Sequence, residues 1–408
     1  MSRLKDFITR CVAQGVPSMI WGPPGTGKTK QVESLFKSHN VPQHTLLASI
    51  SEQTDVNGFP VQSRTTMVIE ETDGTKRELP FIVFAPRDFI VQIYKKGGAI
   101  FFDELPNSRP SVQAACLRAI HQLCFGDLQL DPKRVAVVAA GNPVEMGADS
   151  QDLTPPMANR FRHYHHPEGG DSGLHAFAIE WAEGFTTYWG DPPSVGFDLM
   201  PSTVVPENHW ARARAMVSGF IHHKPNMLLQ FPKEQAKQGN AWPSCRTWEN
   251  ASRAVGDMFY QGKPLVDAAK LIAGDVGEGP TDEFINWART MDLPDPEDIV
   301  ADAIRQRKKK GSFSFKMPSR GDIAYTLIMS VTAVVTNNLT PERWIAGWDI
   351  LHSVADQGAK DVGLISAKDL CVAAKGVKIQ GKLPLPVQQI QPYLPILEQM
   401  GLVGKLTK

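Results

Sequence analysis

Eight residues near the start of the chain, Gly22-Pro23-Pro24-Gly25-Thr26-Gly27-Lys28-Thr29, have the types and spacing needed to cradle a phosphate. Glycines let the backbone wrap closely, so that successive N–H groups point inward at an anion. A helix that follows adds the positive end of its dipole. Lys28 supplies a mobile charge for the β- and γ-phosphates of a nucleotide, and Thr29 a hydroxyl for Mg²⁺. A chance glycine loop is the competing reading. It is disfavoured because all the diagnostic positions match and the flanks read as a strand (Val16 to Trp21) and a helix (Lys28 to about Ser38).

Three further groups bear on the same chemistry. Gly98-Ala99-Ile100-Phe101-Phe102 is an apolar run that ends in Asp103-Glu104. At the carboxyl end of a buried strand Asp103 can hold Mg²⁺, and Glu104 can polarise an attacking water as general base. Without the glycine loop upstream, an acidic pair capping the next helix would be a serious alternative. Asn142, in Ala139-Ala140-Gly141-Asn142-Pro143, follows another apolar strand and can touch a γ-phosphate or the water. By itself Asn-Pro is only a turn signal. Arg160, in Ala158-Asn159-Arg160-Phe161, is placed to reach the γ-phosphate of a neighbouring subunit as an arginine finger. The competing readings are a surface pair with Asp152 or Glu168, or Arg162 as the finger.

The elements that must position these residues alternate. Residues 1–16 read as an amphipathic helix, 44–50 as a second strand, and Thr66 to Phe84 as a hairpin turning at Asp73-Gly74. Gly98 to Phe102 is a buried parallel strand, Ser111 to Leu123 a helix, and Arg134 to Ala140 another buried strand. This alternation predicts an α/β fold with a parallel sheet covered on both faces. The pattern changes after about residue 167, where Gly169, Gly170, Pro192 and Pro193 punctuate a helical stretch. Residues 204–290 are mostly helical, 291–320 polar and charged, and 320–408 helical again. The expected domains are a nucleotide-binding core (1–167), a linker and helical lid (168–290), and a helical extension (291–408).

The order GPPGTGKT, FFDE, AAGNP and ANRF resembles an AAA+ ATPase, and more narrowly the MoxR-type branch. Phe125 to Leu130 lies where that clade carries a hairpin before the sensor strand. Ser51 to Pro60 resembles the stretch that follows the second strand in MoxR-type chains. Pro243-Ser244-Cys245-Arg246-Thr247-Trp248 resembles the second sensor motif of the lid, usually Ser-Pro-Arg, with Cys245 in place of the proline. The resemblance covers about residues 1–290. It implies a P-loop AAA+ core with a parallel sheet, an α-helical lid and then a C-terminal helical extension. It also implies Mg²⁺-dependent ATP hydrolysis with Glu104, Asn142, Arg160 and Arg246 as catalytic residues, and Thr29 and Asp103 at the metal. Arg320, in Pro318-Ser319-Arg320, has the same local form as Arg246 but lies further along the chain. The family also implies a homo-oligomeric ring, expected to be a hexamer, and a chaperone role on a client protein, often one with a von Willebrand A-type domain.

The remaining signals narrow the function further. Net charge is zero, with 43 basic and 43 acidic residues. That disfavours a globally basic nucleic-acid protein, although the run Arg305 to Lys310 followed by Phe313 and Phe315 keeps a nucleic-acid motor as the alternative. A solvated loop is the plainer reading of that run. Asp55-Val56-Asn57-Gly58 and Ser366-Ala367-Lys368 imitate GTPase motifs, but no Asn/Thr-Lys-x-Asp lies between them. His163, His165 and His166 read as satisfied or solvated histidines rather than metal ligands. Five cysteines without a CxxC spacing fit a reducing compartment. Charges at Arg3, Lys5, Asp6 and Arg10 interrupt any apolar leader, and the apolar stretch Ala324 to Val335 is short of the roughly 20 residues a spanning helix needs. A cytoplasmic location without membrane insertion is expected.

Overall fold

In a computed structural model the chain forms two compact units, Met1–Gly170 and Asp171–Lys408. The structure describes residues 3–146, 152–185, 205, 207–232, 234, 239–291, 293–311, 313–376, 383 and 386–402. Pro192 and Pro193 lie outside these residues.

The first unit opens with α1 (Arg3–Ala13), β1 (Ser18–Trp21), α2 (Lys28–Ser38), β2 (Gln43–Leu47) and the short α3 (Gln53–Asn57). A hairpin of β3 (Phe59–Glu70) and β4 (Lys76–Ala85) follows, then α4 (Asp88–Lys96), β5 (Gly98–Asp103) and α5 (Pro110–Gln122). A two-stranded ribbon, β6 (Cys124–Phe125) and β7 (Leu128–Gln129), leads to β8 (Val135–Gly141), α6 (Pro155–Ala158) and β9 (Arg162–His165).

Five of these strands form a parallel sheet in the order β2-β5-β8-β1-β9. Side chains alternate across it, because successive residues of a strand point to opposite faces. Met19, Ile100, Phe102, Val137 and Ala139 enter one core with Val112, Cys116 and Ala119 of α5. Ile20, Ala99, Phe101, Val138 and Ala140 enter a second core with Leu4 and Ile8 of α1 and Val32, Leu35 and Phe36 of α2. Burial on both faces explains why β5 and β8 read as unbroken apolar runs.

The sequence expectation differs at several places in the first unit. Residues 44–50 are not one strand: β2 ends at Leu47 and Ala48–Ile50 is a 3-10 turn. The hairpin is longer than Thr66 to Phe84. Phe59 pairs with Ala85, and a bulge lies between Gln62 and Thr66. β9 was hidden by its polar residues, because it is an edge strand with exposed positions.

The second unit is helical: α7 (Gly170–Phe185), α8 (Glu207–His223), α9 (Cys245–Gln261), α10 (Ala269–Val276), α11 (Glu278–Arg289), α12 (Pro296–Lys310), α13 (Gly321–Asn337), α14 (Pro341–Asp356), α15 (Lys360–Gly376), α16 (Val387–Ile390) and α17 (Leu394–Gln399). One core gathers Phe220, Trp248, Phe284 and Trp287, and another Val331, Trp344, Trp348 and Tyr393. Ala215 of α8 packs with Tyr325 and Met329 of α13. The basic run expected as a loop is the end of α12. Asp295 caps that helix, and Arg307 reaches the buried Asp349 at 2.5 and 2.6 Å. No helix among the described residues is long and apolar enough to cross a membrane.

The fold is therefore of the expected class, an α/β core with a parallel sheet and a glycine-rich loop between β1 and α2, followed by a helical region.

Candidate active site

The glycine-rich loop leaves the carboxyl end of β1, which lies between β8 and β9 and next but one to β5. Strand order thus delivers three other strand ends to the loop. Gly25 and Gly27 adopt φ of 75° and 79°, a left-handed conformation that favours glycine. Gly22 meets a different constraint. A Cβ built there would lie 2.0 Å from the carbonyl oxygen of His166. Thr26 is buried, and its hydroxyl donates to the carbonyl of Pro23 at 2.9 Å.

Lys28 starts α2 and is only 8% exposed. Its Nζ donates to Gly22 O at 2.7 Å, Pro23 O at 2.9 Å and Asn142 Oδ1 at 3.0 Å. An ammonium has three donors, and all three meet protein oxygens here. Asn142 stands just beyond β8 and so reaches the lysine from the neighbouring strand. An incoming phosphate oxygen must take over or share one of these donors.

Asp103 ends β5, and its Oδ2 accepts from Thr29 Oγ1 at 2.7 Å. Its Oδ1 accepts from the Glu104 N–H at 3.0 Å. Glu104 has φ 54° and ψ 34°, a left-handed conformation uncommon for a side-chain-bearing residue. That conformation turns the chain sharply after Asp103. Glu104 Oε2 accepts from Ser49 Oγ at 2.6 Å. Ser49 sits in the 3-10 turn after β2, and no motif in the sequence marks it.

Lys28, Thr29, Asp103, Glu104 and Asn142 are thus brought together. Arg160 is not with them. It follows α6 at the amino edge of the sheet, beside Val16 and Pro17, so the length of β1 separates it from the loop. Four strand residues span about 10 Å. Arg160 Nη1 donates to Pro156 O at 2.6 Å, and its Nε is buried with no hydrogen-bond partner among the described residues. It pairs with neither Asp152 nor Glu168; Glu168 lies 3.6 Å from Arg3. Arg162 donates to Gln14 Oε1 at 2.6 Å.

Arg246 belongs to the second unit, exposed in the first turn of α9. Ser244 caps that helix by accepting from the Thr247 N–H at 3.2 Å. A serine cap leaves Cys245 free to occupy the first helical position without a proline. Arg320 is committed elsewhere: it donates to Asp322 at 2.6 and 3.1 Å and to Thr290 at 3.2 Å. Asp55 of the GTPase-like Asp55-Val56-Asn57-Gly58 caps α3 and pairs with Arg87.

The histidine run divides by strand alternation. His163 accepts from Trp21 Nε1 at 2.8 Å on one face of β9. His166, just past the strand, turns beneath the glycine loop. It is 7% exposed, and its Nε2 lies 3.2 Å from Gln31 Nε2. Burial, helped by the charge of Lys28, pushes its pKa down to about 4, against a backbone hydrogen bond with Thr26 that raises it. The ring is therefore neutral at physiological pH. Sequence reasoning missed the places of His166, Gln31 and Ser49, because each acts through a partner distant in the chain.

No family model matches the chain, and no curated protein matches it. Solved structures do. A mutant of Thermotoga maritima RuvB is 13% identical with a TM-score of 0.33, over 76% of this chain and 77% of its own. The Thermotoga maritima RuvB Holliday junction branch migration motor is 14% identical with a TM-score of 0.32, over 76% of each chain. NtrX from Brucella abortus in complex with ADP is 12% identical with a TM-score of 0.34, over 88% of this chain and 68% of its own. Likenesses this distant carry no function across.

Proposed function

We propose that this chain is a Mg²⁺-dependent ATPase of the AAA+ class and MoxR-type branch. It works as a ring and couples ATP turnover to remodelling of a client protein. The observation that carries the reading is the cluster at the carboxyl edge of the sheet. There the Lys28 ammonium, the Thr29–Asp103 pair, Glu104 and Asn142 converge from three strands beside a glycine loop.

The residues fit the groups they are asked to hold. The loop from Gly22 to Thr29 is a backbone cradle whose start has no room for a side chain, as a phosphate site requires. Thr29 and Asp103 offer a hydroxyl and a carboxylate, the hard oxygen donors that suit Mg²⁺. Bound Mg²⁺ supplies charge neutralisation at the phosphates. Lys28 binds the β- and γ-phosphates when it gives up one of its three present acceptors. Asn142 is the acceptor that can turn away, since the other two are backbone carbonyls of the loop. A γ-phosphate would thus be registered at the end of β8. Glu104 takes the proton of the attacking water, and the Ser49 hydroxyl sets which way its carboxylate faces.

Arg160 lies too far from its own loop to serve it, which supports a finger role toward a neighbour's nucleotide and hence a ring, with six subunits as the expected number. Arg246 is assigned the second sensor, because Arg320 is tied to Asp322. The hairpin β3–β4 and residues 51–60 are assigned to the client, expected to be a protein with a von Willebrand A-type domain. Phe59, Val61 and Met67 lie on one hairpin face and are exposed, which suits a protein surface. The nucleic-acid reading gains nothing from the basic run, because Arg305 pairs with Asp302 and Arg307 with Asp349.

Mixing decides the shared site. Lys28→Ala and Arg160→Ala proteins are each expected to be inactive, and their mixture to regain ATPase activity. A mixture as inactive as its components refutes the shared site. Deleting residues 66–84 should abolish client-stimulated turnover; unchanged stimulation removes the hairpin from the client's path.

A further inference from the structure

We infer that His166 is a positioning residue of the phosphate loop, acting with Gln31 to hold the loop in the shape that receives nucleotide. The inference rests on the nucleotide-binding reading above and extends it to two residues outside every motif.

Three observations converge on this residue. The His166 N–H donates to Trp21 O at 2.6 Å, which extends the β1–β9 pairing to the start of the loop. The His166 carbonyl then lies against Gly22, closely enough to exclude a Cβ. The ring lies beneath the loop, bonded to the backbone of Thr26 and within 3.2 Å of the Gln31 amide on α2. One residue thus touches the start of the loop, its middle and the helix that follows.

The chemistry of the ring suits that place. A neutral imidazole donates from one nitrogen and accepts at the other. It can donate a hydrogen bond to the Thr26 carbonyl while accepting one from the Gln31 amide. A lysine or arginine would set a second cation beside Lys28. An apolar side chain would remove one hydrogen-bond partner of the Gln31 side chain, which is 4% exposed, and losing a buried hydrogen bond is costly. His166 touches no reacting atom in this arrangement, so its effect is expected on nucleotide affinity rather than on the chemical step.

The test uses the full chain with His166→Ala, His166→Gln and Gln31→Met. Three quantities are read: the kcat and KM for ATP, the Kd for a fluorescent ADP analogue, and amide hydrogen exchange across residues 22–31 without nucleotide. His166→Ala should raise KM and Kd about tenfold, the equivalent of one lost hydrogen bond, with kcat within about threefold. Exchange across 22–31 should quicken. His166→Gln, which keeps a donor and an acceptor, should recover most of the affinity. Unchanged Kd and exchange in a folded His166→Ala protein overturn the inference, as does a loss confined to kcat. If His166→Ala does not fold, Gln31→Met carries the same expectation, and an unchanged Kd there overturns it. A wild-type protein that binds no ADP analogue overturns the nucleotide reading instead, while exchange across 22–31 still decides the part played by His166.

Discussion

Replacing Gly22 by alanine should cripple the site without touching a phosphate contact. The new Cβ would lie 2.0 Å from His166 O and 3.1 Å from its carbonyl carbon. Real Cβ atoms essentially never approach within 3.0 Å, so the gap must open by about 1 Å. His166 cannot easily retreat, because its N–H is held by Trp21 O at 2.6 Å and its ring is packed under the loop. The loop must therefore move, and with it the carbonyls of Gly22 and Pro23 that hold Lys28. Overpacking of this kind costs about 1–3 kcal/mol of stability. A displacement of about 1 Å at reacting groups costs about 10²-fold in rate. Steady-state ATP turnover and a urea melt measure the two effects. Gly274→Ala is the control, because a Cβ there, on α10, meets nothing within 4 Å. It should leave turnover unchanged and raise stability by about 0.4–1 kcal/mol. Gly22→Ala turnover within twofold of wild type would refute the close packing of His166 on the loop.

Glu104→Gln should still bind ATP but hydrolyse it about 10²–10⁴-fold more slowly, as measured by single-turnover assays beside nucleotide binding. Lys28→Ala should lose binding itself. Acid should weaken the fold through His166: its folded pKa of about 4 lies below the ordinary 6.5, so the unfolded chain takes up the proton first. Stability is then full above pH 6.5 and falls by about 3 kcal/mol as the pH drops to 4. Urea midpoints of wild type and His166→Gln across that range should converge as the pH falls. Asp349→Ala should destabilise the second unit by about 1.5–3 kcal/mol, because it removes the buried carboxylate that accepts two hydrogen bonds from the part-exposed Arg307 at 2.5 and 2.6 Å. A thermal melt of the full chain reads that loss.

The sequence by itself determined the phosphate loop, the acidic pair and the parallel sheet. Each of these is written in contiguous residues: glycines where the backbone must turn, apolar runs where both faces of a strand are buried, and acids where a strand ends. Residues 22–29 and 98–104 therefore announce their roles locally. Arg305 to Lys310 misled for the same reason. Charge alone reads as solvated loop, whereas Asp295 as cap and Asp349 as partner make it the end of a helix. Only the tertiary structure decided which strand ends meet. By placing β1 between β8 and β9, it set Asn142 on Lys28 and His166 under Thr26, and it put Ser49 on Glu104 across β2 and β5. It also left Arg160 at the far edge of the sheet. These pairings depend on strand order, a property of the whole chain that no local pattern encodes, because a hydrogen bond between residues 114 positions apart leaves no spacing to read.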